Sequence, residues 1–268
     1  MSSILHEIFR VNKPVIGMVH MPPLPGSPKY DYRDSMEKIV KRTMNDAVVL
    51  ERGGVDGLLF SNESDTPFLF DVGPETVAAV TYIVAKVTDR VSLPFGIDIL
   101  WDPYATIAVA KATKASFVRT LLTGTFSSDL GLINTEGAKV LRYRKYIGAE
   151  NVRIFLYLNP EFAAPISPRP LGIVAQTVRW LSLADVYCIS GPMPGLPPDE
   201  KDIISVKESA KDMPILANTG INKDNIATYF KLVDGAIVGT SFKVGNITLN
   251  PVDEGKVKEF MNIVNSLR

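Results

Sequence analysis

The chain has 268 residues, 46% of them apolar, with 29 Lys and Arg set against 29 Asp and Glu. Zero formal charge without a long basic run leaves no general attraction to nucleic acid, and the single cysteine, Cys188, cannot form an internal disulfide. Apolar stretches such as 77–87 break well short of the roughly 20 residues that cross a bilayer, and no export signal opens the chain, so a cytoplasmic protein without a transmembrane segment is expected.

In chain order, a lead-in helix carrying His6 precedes eight near-continuous apolar runs at 14–19, 55–60, 94–100, 116–120, 152–158, 185–190, 214–218 and 235–239. Such runs suit strands buried on both faces, and their mean step of about 32 residues leaves room for one helix and two short loops. The segment 34–52 places Met36, Ile39, Val40, Met44, Ala47 and Val48 at helical spacings and stops at Gly53-Gly54. Asp199 and Asn222 are expected to cap the sixth and seventh helices, and Pro251 to open the last. Asp56, Asp185 and Asp234 precede three of the strands and are expected to close tight turns rather than to form sites.

Eight strand–helix units predict a single α/β domain over 1–268, a (β/α)8 barrel with a short N-terminal helix, because right-handed crossovers put every helix outside and closure removes the sheet edges. An open doubly wound sheet would need a glycine-rich first turn. Here the first strand runs instead into His20 and then Pro22, Pro23, Pro25 and Pro28, which cannot start a nucleotide-cradling helix.

In such a barrel, chemistry belongs to the loops after the strands. The last two strands run into glycine turns, and the amides of Gly220, Ile221, Gly239, Thr240 and Ser241, with a short extra helix at 240–242, are expected to form a phosphate nest; the alternative is that both glycines only permit tight turns. Asp98, between Ile97 and Ile99, is the favoured acid/base. Its carboxyl is raised by apolar surroundings or lowered by Arg119, and the alternative is an ion pair filling the barrel. Asn62, His20 and Arg119 are expected to position substrate, although His20 fits a packed rim residue equally well. No cofactor is expected and no His/Cys cluster suggests zinc; a magnesium ion held by Glu63, Asp65 or Asp98 with a substrate phosphate is the metal site left open. Cys188 reads as an inert buried thiol. Residues 121–135 read as a flexible loop able to fold over a ligand, and 159–169 and 191–198 as stiff, proline-rich walls.

The stretch Val15-Ile16-Gly17-Met18-Val19-His20 with Pro22-Pro23-Leu24-Pro25-Gly26-Ser27-Pro28 resembles the BtpA family, named for a photosystem I biogenesis factor. Gly54-Val55-Asp56-Gly57, Asn62, Asp65, Pro67, Phe68, Leu122-Thr123-Gly124, Asp129, Gly131, Leu141-Arg142-Tyr143-Arg144 and the run from Asp234 to Lys243 carry the resemblance over most of the chain. It implies a TIM barrel and a phosphate-type site, and hands over no reaction. Two segments depart from the family pattern: Asp98-Ile99-Leu100-Trp101-Asp102-Pro103 stands where relatives have an Asn-rich, Arg-containing segment, and Tyr157-Leu158-Asn159-Pro160-Glu161-Phe162 where they have His and Lys.

The leading functional expectation is an enzyme of lyase or isomerase type acting on a small phosphorylated ligand, a sugar phosphate or nucleotide-like molecule. Lys223 and Lys243 lie beyond the loop turns, which weighs against a Schiff base. A non-enzymatic assembly or stability factor, and a phosphometabolite sensor with a degenerate rim, are the competing expectations; a homo-oligomer is compatible with all three.

Overall fold

A computed structural model describes residues 3–268. Helix α1 (Ile4–Phe9) leads into β1 (Val15–His20), α2 (Met36–Gly53), β2 (Gly57–Ser61), α3 (Pro74–Thr88), β3 (Phe95–Asp98), α4 (Pro103–Thr113) and β4 (Phe117–Thr120). Then come β5 (Thr125–Ser128), β6 (Gly131–Asn134), α5 (Gly137–Tyr146), β7 (Arg153–Asn159), β8 (Ala163–Pro165), α6 (Leu171–Ser182) and β9 (Val186–Ile189). Helix α7 (Glu200–Ser209), β10 (Ile215–Ala217), α8 (Ile226–Leu232), β11 (Gly235–Val238) and α9 (Glu254–Leu267) complete the chain. Eight parallel strands close in the order β1-β11-β10-β9-β7-β4-β3-β2, and each of the eight apolar runs contributes one of them. The chain is a (β/α)8 barrel.

Alternate residues of these strands face opposite ways, and two separate apolar layers result. Ile16, Met18, Leu59, Phe117, Phe155, Val186, Cys188, Leu216 and Ile237 fill the barrel interior with Leu5 and Phe9 of α1, which plugs the lower end. Phe117 stacks on Phe155 at 4.3 Å, and Phe9 meets Phe117 edge-on at 5.6 Å. Gly96 makes this stack feasible, since a Cβ there would stand 2.3 Å from the Phe117 ring. The other strand faces and the apolar stripes of the helices form the larger outer core.

The three aspartates that precede strands are structural, as expected. Asp56 Oδ2 accepts from the Val15 amide at 2.8 Å, Asp185 Oδ2 from Ile154 at 2.8 Å and Asp234 Oδ2 from Ile215 at 2.9 Å. Each carboxylate therefore satisfies an amide at the start of a neighbouring strand, a group that would otherwise lack a partner.

Four local expectations are corrected. Residues 121–135 are not an unstructured loop: β5 and β6 form an antiparallel hairpin turning at Asp129-Leu130, and β8, from the supposed proline wall, adds a third strand. Phe126 and Ile133 of this small sheet pack on Leu100, Trp101, Leu121 and Tyr157 above the barrel. Strands of three or four residues are too short to display a period. Asn222 does not stand at the N-cap position of α8, which Asn225 occupies without a capping side-chain bond; the Asn222 Oδ1 accepts from Asp224 and Asn225 in the turn before it. Pro251 does not open α9, because Asp253 caps it through the Lys256 amide and Val252 is held in a bridge with Lys243.

Candidate functional site

The interior-facing positions at the C-terminal ends of the strands are polar, in contrast to the phenylalanine layer beneath. Asp98, Arg119, Tyr157 and Asn218 form one buried chain. Arg119 Nε donates to Asp98 Oδ2 at 2.8 Å, Tyr157 donates to the same oxygen at 3.0 Å, and Arg119 Nη1 donates to Asn218 Oδ1 at 2.6 Å. Asn218 Nδ2 then donates to Glu161 Oε1 at 2.9 Å and to Ser190 Oγ at 2.7 Å. The guanidinium also lies over the Tyr157 ring, 4.8 Å from its centroid. Arg119 is buried at 4% exposure, yet the surrounding acidic groups outweigh burial and raise its pKa, so it stays cationic.

A pit of about 50 Å³ opens above this chain, walled by His20, Glu63, Trp101, Arg119, Glu161 and Asn218 among others. Burial, reinforced by Glu161 and Asp98 and opposed by Arg119, pushes the Glu63 carboxyl up to about 7. Burial likewise raises Glu161. With Arg119 matched to Asp98, two further carboxyls share the pit with no second interior cation bonded to them, so protonation of Glu63 near neutrality follows from charge balance as well as from desolvation. Among the described residues, no protein donor reaches the Glu63 carboxylate. His20 Nδ1 lies 3.0 Å from the Thr248 carbonyl oxygen. A carbonyl only accepts, so Nδ1 carries the proton and Nε2 is left as an acceptor. Burial, then the Lys243 charge, holds the imidazole at about 3, and His20 is neutral at physiological pH.

The turns after β10 and β11 border the pit. Among the described residues the amides of Gly220, Ile221, Thr240 and Ser241 donate to no protein acceptor, and the 240–242 segment is a short 3-10 turn as expected. Gly220 has φ +63°, and a Cβ on it would stand 2.1 Å from the Pro197 nitrogen, so this turn requires glycine. Thr240 and Thr248 share a hydroxyl contact at 3.0 Å, and Ser241 Oγ donates to the Ile221 carbonyl. Behind the turns, Lys243 pairs with Asp46 at 2.8 Å while the other Asp46 oxygen accepts from Val252. This buried clamp ties the segment bearing Thr248 to α2.

The residues singled out in the sequence divide into two groups. His20, Arg119, Gly220, Gly239 and Thr240 line the pit together, with Ile221 and Ser241 beside them in an adjoining groove. Asp98 and Asn62 do not line it. Asp98 lies below, with its Oδ2 engaged by Arg119 and Tyr157, and its carboxyl is raised chiefly by burial. Asn62 Oδ1 is taken by the Leu100 amide at 2.8 Å, which shapes the turn after β3. Asp65 accepts from the Leu24 amide and braces the proline-rich loop. Among the described residues, no group of three His, Cys, Asp or Glu side chains is arranged to hold a metal. Cys188 is buried in β9, and burial pushes its thiol up to about 12.

The sequence pattern offers Glu63 only as a metal ligand and does not single out Glu161, Tyr157, Asn218 or Thr248 as site residues. The signal for Glu161 was present: a glutamate two residues after the long β7 strand, in a segment that departs from the family pattern. Thr248 carried none, because it reaches His20 across 228 positions of chain.

Fold and mouth together define a (β/α)8 barrel whose one polar interior layer sits at the C-terminal rim. The BtpA family model matches residues 11–266, and the chain belongs to that family. It is 35% identical over 264 residues to the putative sgc region protein SgcQ of Escherichia coli (strain K12), covering 98% of each chain. It is 33% identical over 262 residues to the photosystem I biogenesis protein BtpA of a Synechocystis species, covering 96% of this chain and 90% of the relative. Among solved structures, (S)-3-O-geranylgeranylglyceryl phosphate synthase from Thermoplasma acidophilum, in complex with sn-glycerol-1-phosphate, superposes with a TM-score of 0.59 at 14% identity, covering 99% of this chain and 100% of that one. A structure described as native KDPGal gives 0.58 at 12% identity over 95% of both chains. These structural likenesses establish the barrel. No helix among the described residues is long and apolar enough to cross a membrane.

Proposed function

We propose that the protein is an enzyme that binds a small phosphorylated ligand at the Gly220–Ile221 and Gly239–Ser241 turns and carries out proton-transfer chemistry of lyase or isomerase type in the pit beside them. The observation that carries this reading is the adjacency of unpaired loop amides, which suit an anion, to an unpaired carboxyl poised near neutrality. Glu63 is the acid/base: it faces the pit and changes charge at working pH, whereas Asp98 is engaged in holding Arg119. Arg119 and Glu161 set the charge balance, and the His20 Nε2 accepts a hydrogen bond from a ligand hydroxyl. A phosphorylated small molecule is also what the structurally similar synthase holds, sn-glycerol-1-phosphate.

The test is a thermal-shift titration with inorganic phosphate and ribose 5-phosphate, using wild type, Thr240→Asp and Glu63→Gln. Saturable stabilisation, weakened in Thr240→Asp because its carboxylate repels an anion at these amides, supports the anion site; retention of binding with loss of turnover in Glu63→Gln assigns the acid/base. Stabilisation equal in wild type and Thr240→Asp moves the anion elsewhere.

A second reading, an assembly factor that binds another protein, is favoured by one patch. Trp180, Leu181 and Leu183 at the end of α6 are 84%, 65% and 62% exposed, and an exposed apolar cluster of this kind often marks a contact surface.

A further inference from the structure

Two cavities meet at the anion-binding turns, which form the wall between them. The pit of about 50 Å³ and a neighbouring groove of about 690 Å³ share Pro194, Gly195, Gly220, Gly239, Thr240 and Thr248. An anion on that wall has one side turned toward His20 and Glu63 and the other toward Asn222, Lys223 and Phe260. Building on the phosphate reading above, we infer that the ligand is of nucleotide type, with its phosphate on the shared wall, its reacting group in the pit and a nucleoside in the groove.

Size makes the first distinction. The pit has room for a few waters, enough for a reacting carbon and its oxygens but not for a whole sugar. The groove falls in the range of pockets that enclose organic ligands, about 300–1,000 Å³. A sugar phosphate ending in a monoester would leave most of it to water. Charge makes the second. The groove's two lysines, Lys223 and Lys256, are balanced by two carboxylates in its lining, Asp224 and Glu259, and Lys223 is bonded to Glu259 at 2.7 Å. No excess positive charge awaits a second terminal phosphate. The buried side chains of Ile221 and Phe260 give the groove an apolar floor, while its rim offers amide, ammonium and carboxylate groups. A flat base over an apolar floor with a hydroxylated sugar at the rim fits that division. Two unpaired polar groups mark the pit side as a place for ligand atoms: the Glu63 carboxyl and the Nε2 of His20, which is only 9% exposed.

The experiment is isothermal titration of the full chain with ribose 5-phosphate, with the four common nucleoside 5′-monophosphates, and with ADP-ribose and UDP-glucose. The same titrations are made on Leu196→Trp and Met193→Trp, which narrow the groove from uncharged side chains 47% and 48% exposed, so that folding, checked by circular dichroism, is retained. At least one nucleotide is expected to bind about tenfold or more tighter than ribose 5-phosphate. Either tryptophan should weaken that nucleotide by about tenfold and leave ribose 5-phosphate within roughly twofold. Ribose 5-phosphate binding as tightly as every nucleotide, or tryptophan variants that weaken neither, overturns the nucleotide inference while the phosphate site stands. If wild type binds neither ribose 5-phosphate nor any nucleotide, the phosphate reading falls and this inference with it.

Discussion

Glu63 and His20 face the same pit and titrate in opposite senses. The Glu63 carboxyl lies at about 7 against an ordinary 4.5, so the folded state holds its proton more tightly than the unfolded chain does. Its contribution to stability is complete below pH 4.5 and is lost as pH rises through about 7. The His20 imidazole, held at about 3 instead of 6.5, contributes fully above pH 6.5 and loses that contribution as pH falls toward 3. Glu63→Gln removes only the first effect. Melting temperatures of wild type and Glu63→Gln across pH 4.5 to 8 should therefore diverge in favour of the variant as pH rises; parallel curves would show that Glu63 titrates normally. At this scale the sequence was legible in part. His20 and Arg119 were readable from their positions at strand ends, but whether a carboxylate such as Asp98 faces ligand or lies beneath an arginine depends on partners 21 and 59 residues away.

At the scale of the elements, the strand-leading aspartates were legible because a turn of two or three residues leaves them little choice of partner. Asp234 bridges α8, β11 and the start of β10 through one carboxylate oxygen. Asp234→Ala should cost about 1–3 kcal/mol by leaving the Ile215 amide without its acceptor. A urea denaturation midpoint reads this, and an unchanged midpoint would mean that water replaces the carboxylate without loss. The sheet of β5, β6 and β8 was hidden for a different reason. Its strands pair across sequence gaps, β5 with β8 above all, and its apolar contacts, Phe126 and Ile133, find the top of the barrel only after the barrel exists.

For the whole molecule, the interior is as consequential as the mouth. Phe117, Phe155 and Phe9 fill the barrel below the polar chain and keep solvent from reaching Arg119 from beneath. Phe155→Ala should destabilise the fold by about 3–5 kcal/mol, since its neighbours are a closed ring of strands that cannot collapse into the space. Calorimetry measures the loss, and a fall below about 1 kcal/mol would mean that the ring deforms more easily than a closed barrel should.

The sequence by itself determined the number of barrel strands, their alternation with the helices, the closure of the barrel and the rim at which polar groups gather. Apolar runs with regular spacing suffice for that, because burying both faces of a parallel strand leaves few architectures. The runs lack alternation, however, so nothing local told which residues point inward. Only the closed barrel set that parity, placing Phe117 and Arg119 inside and Val118 outside. With parity came the pit, the sharing of charge among Asp98, Arg119, Glu63 and Glu161, and the groove behind the glycine turns. These are consequences of strands distant in sequence being held at one depth around a ring.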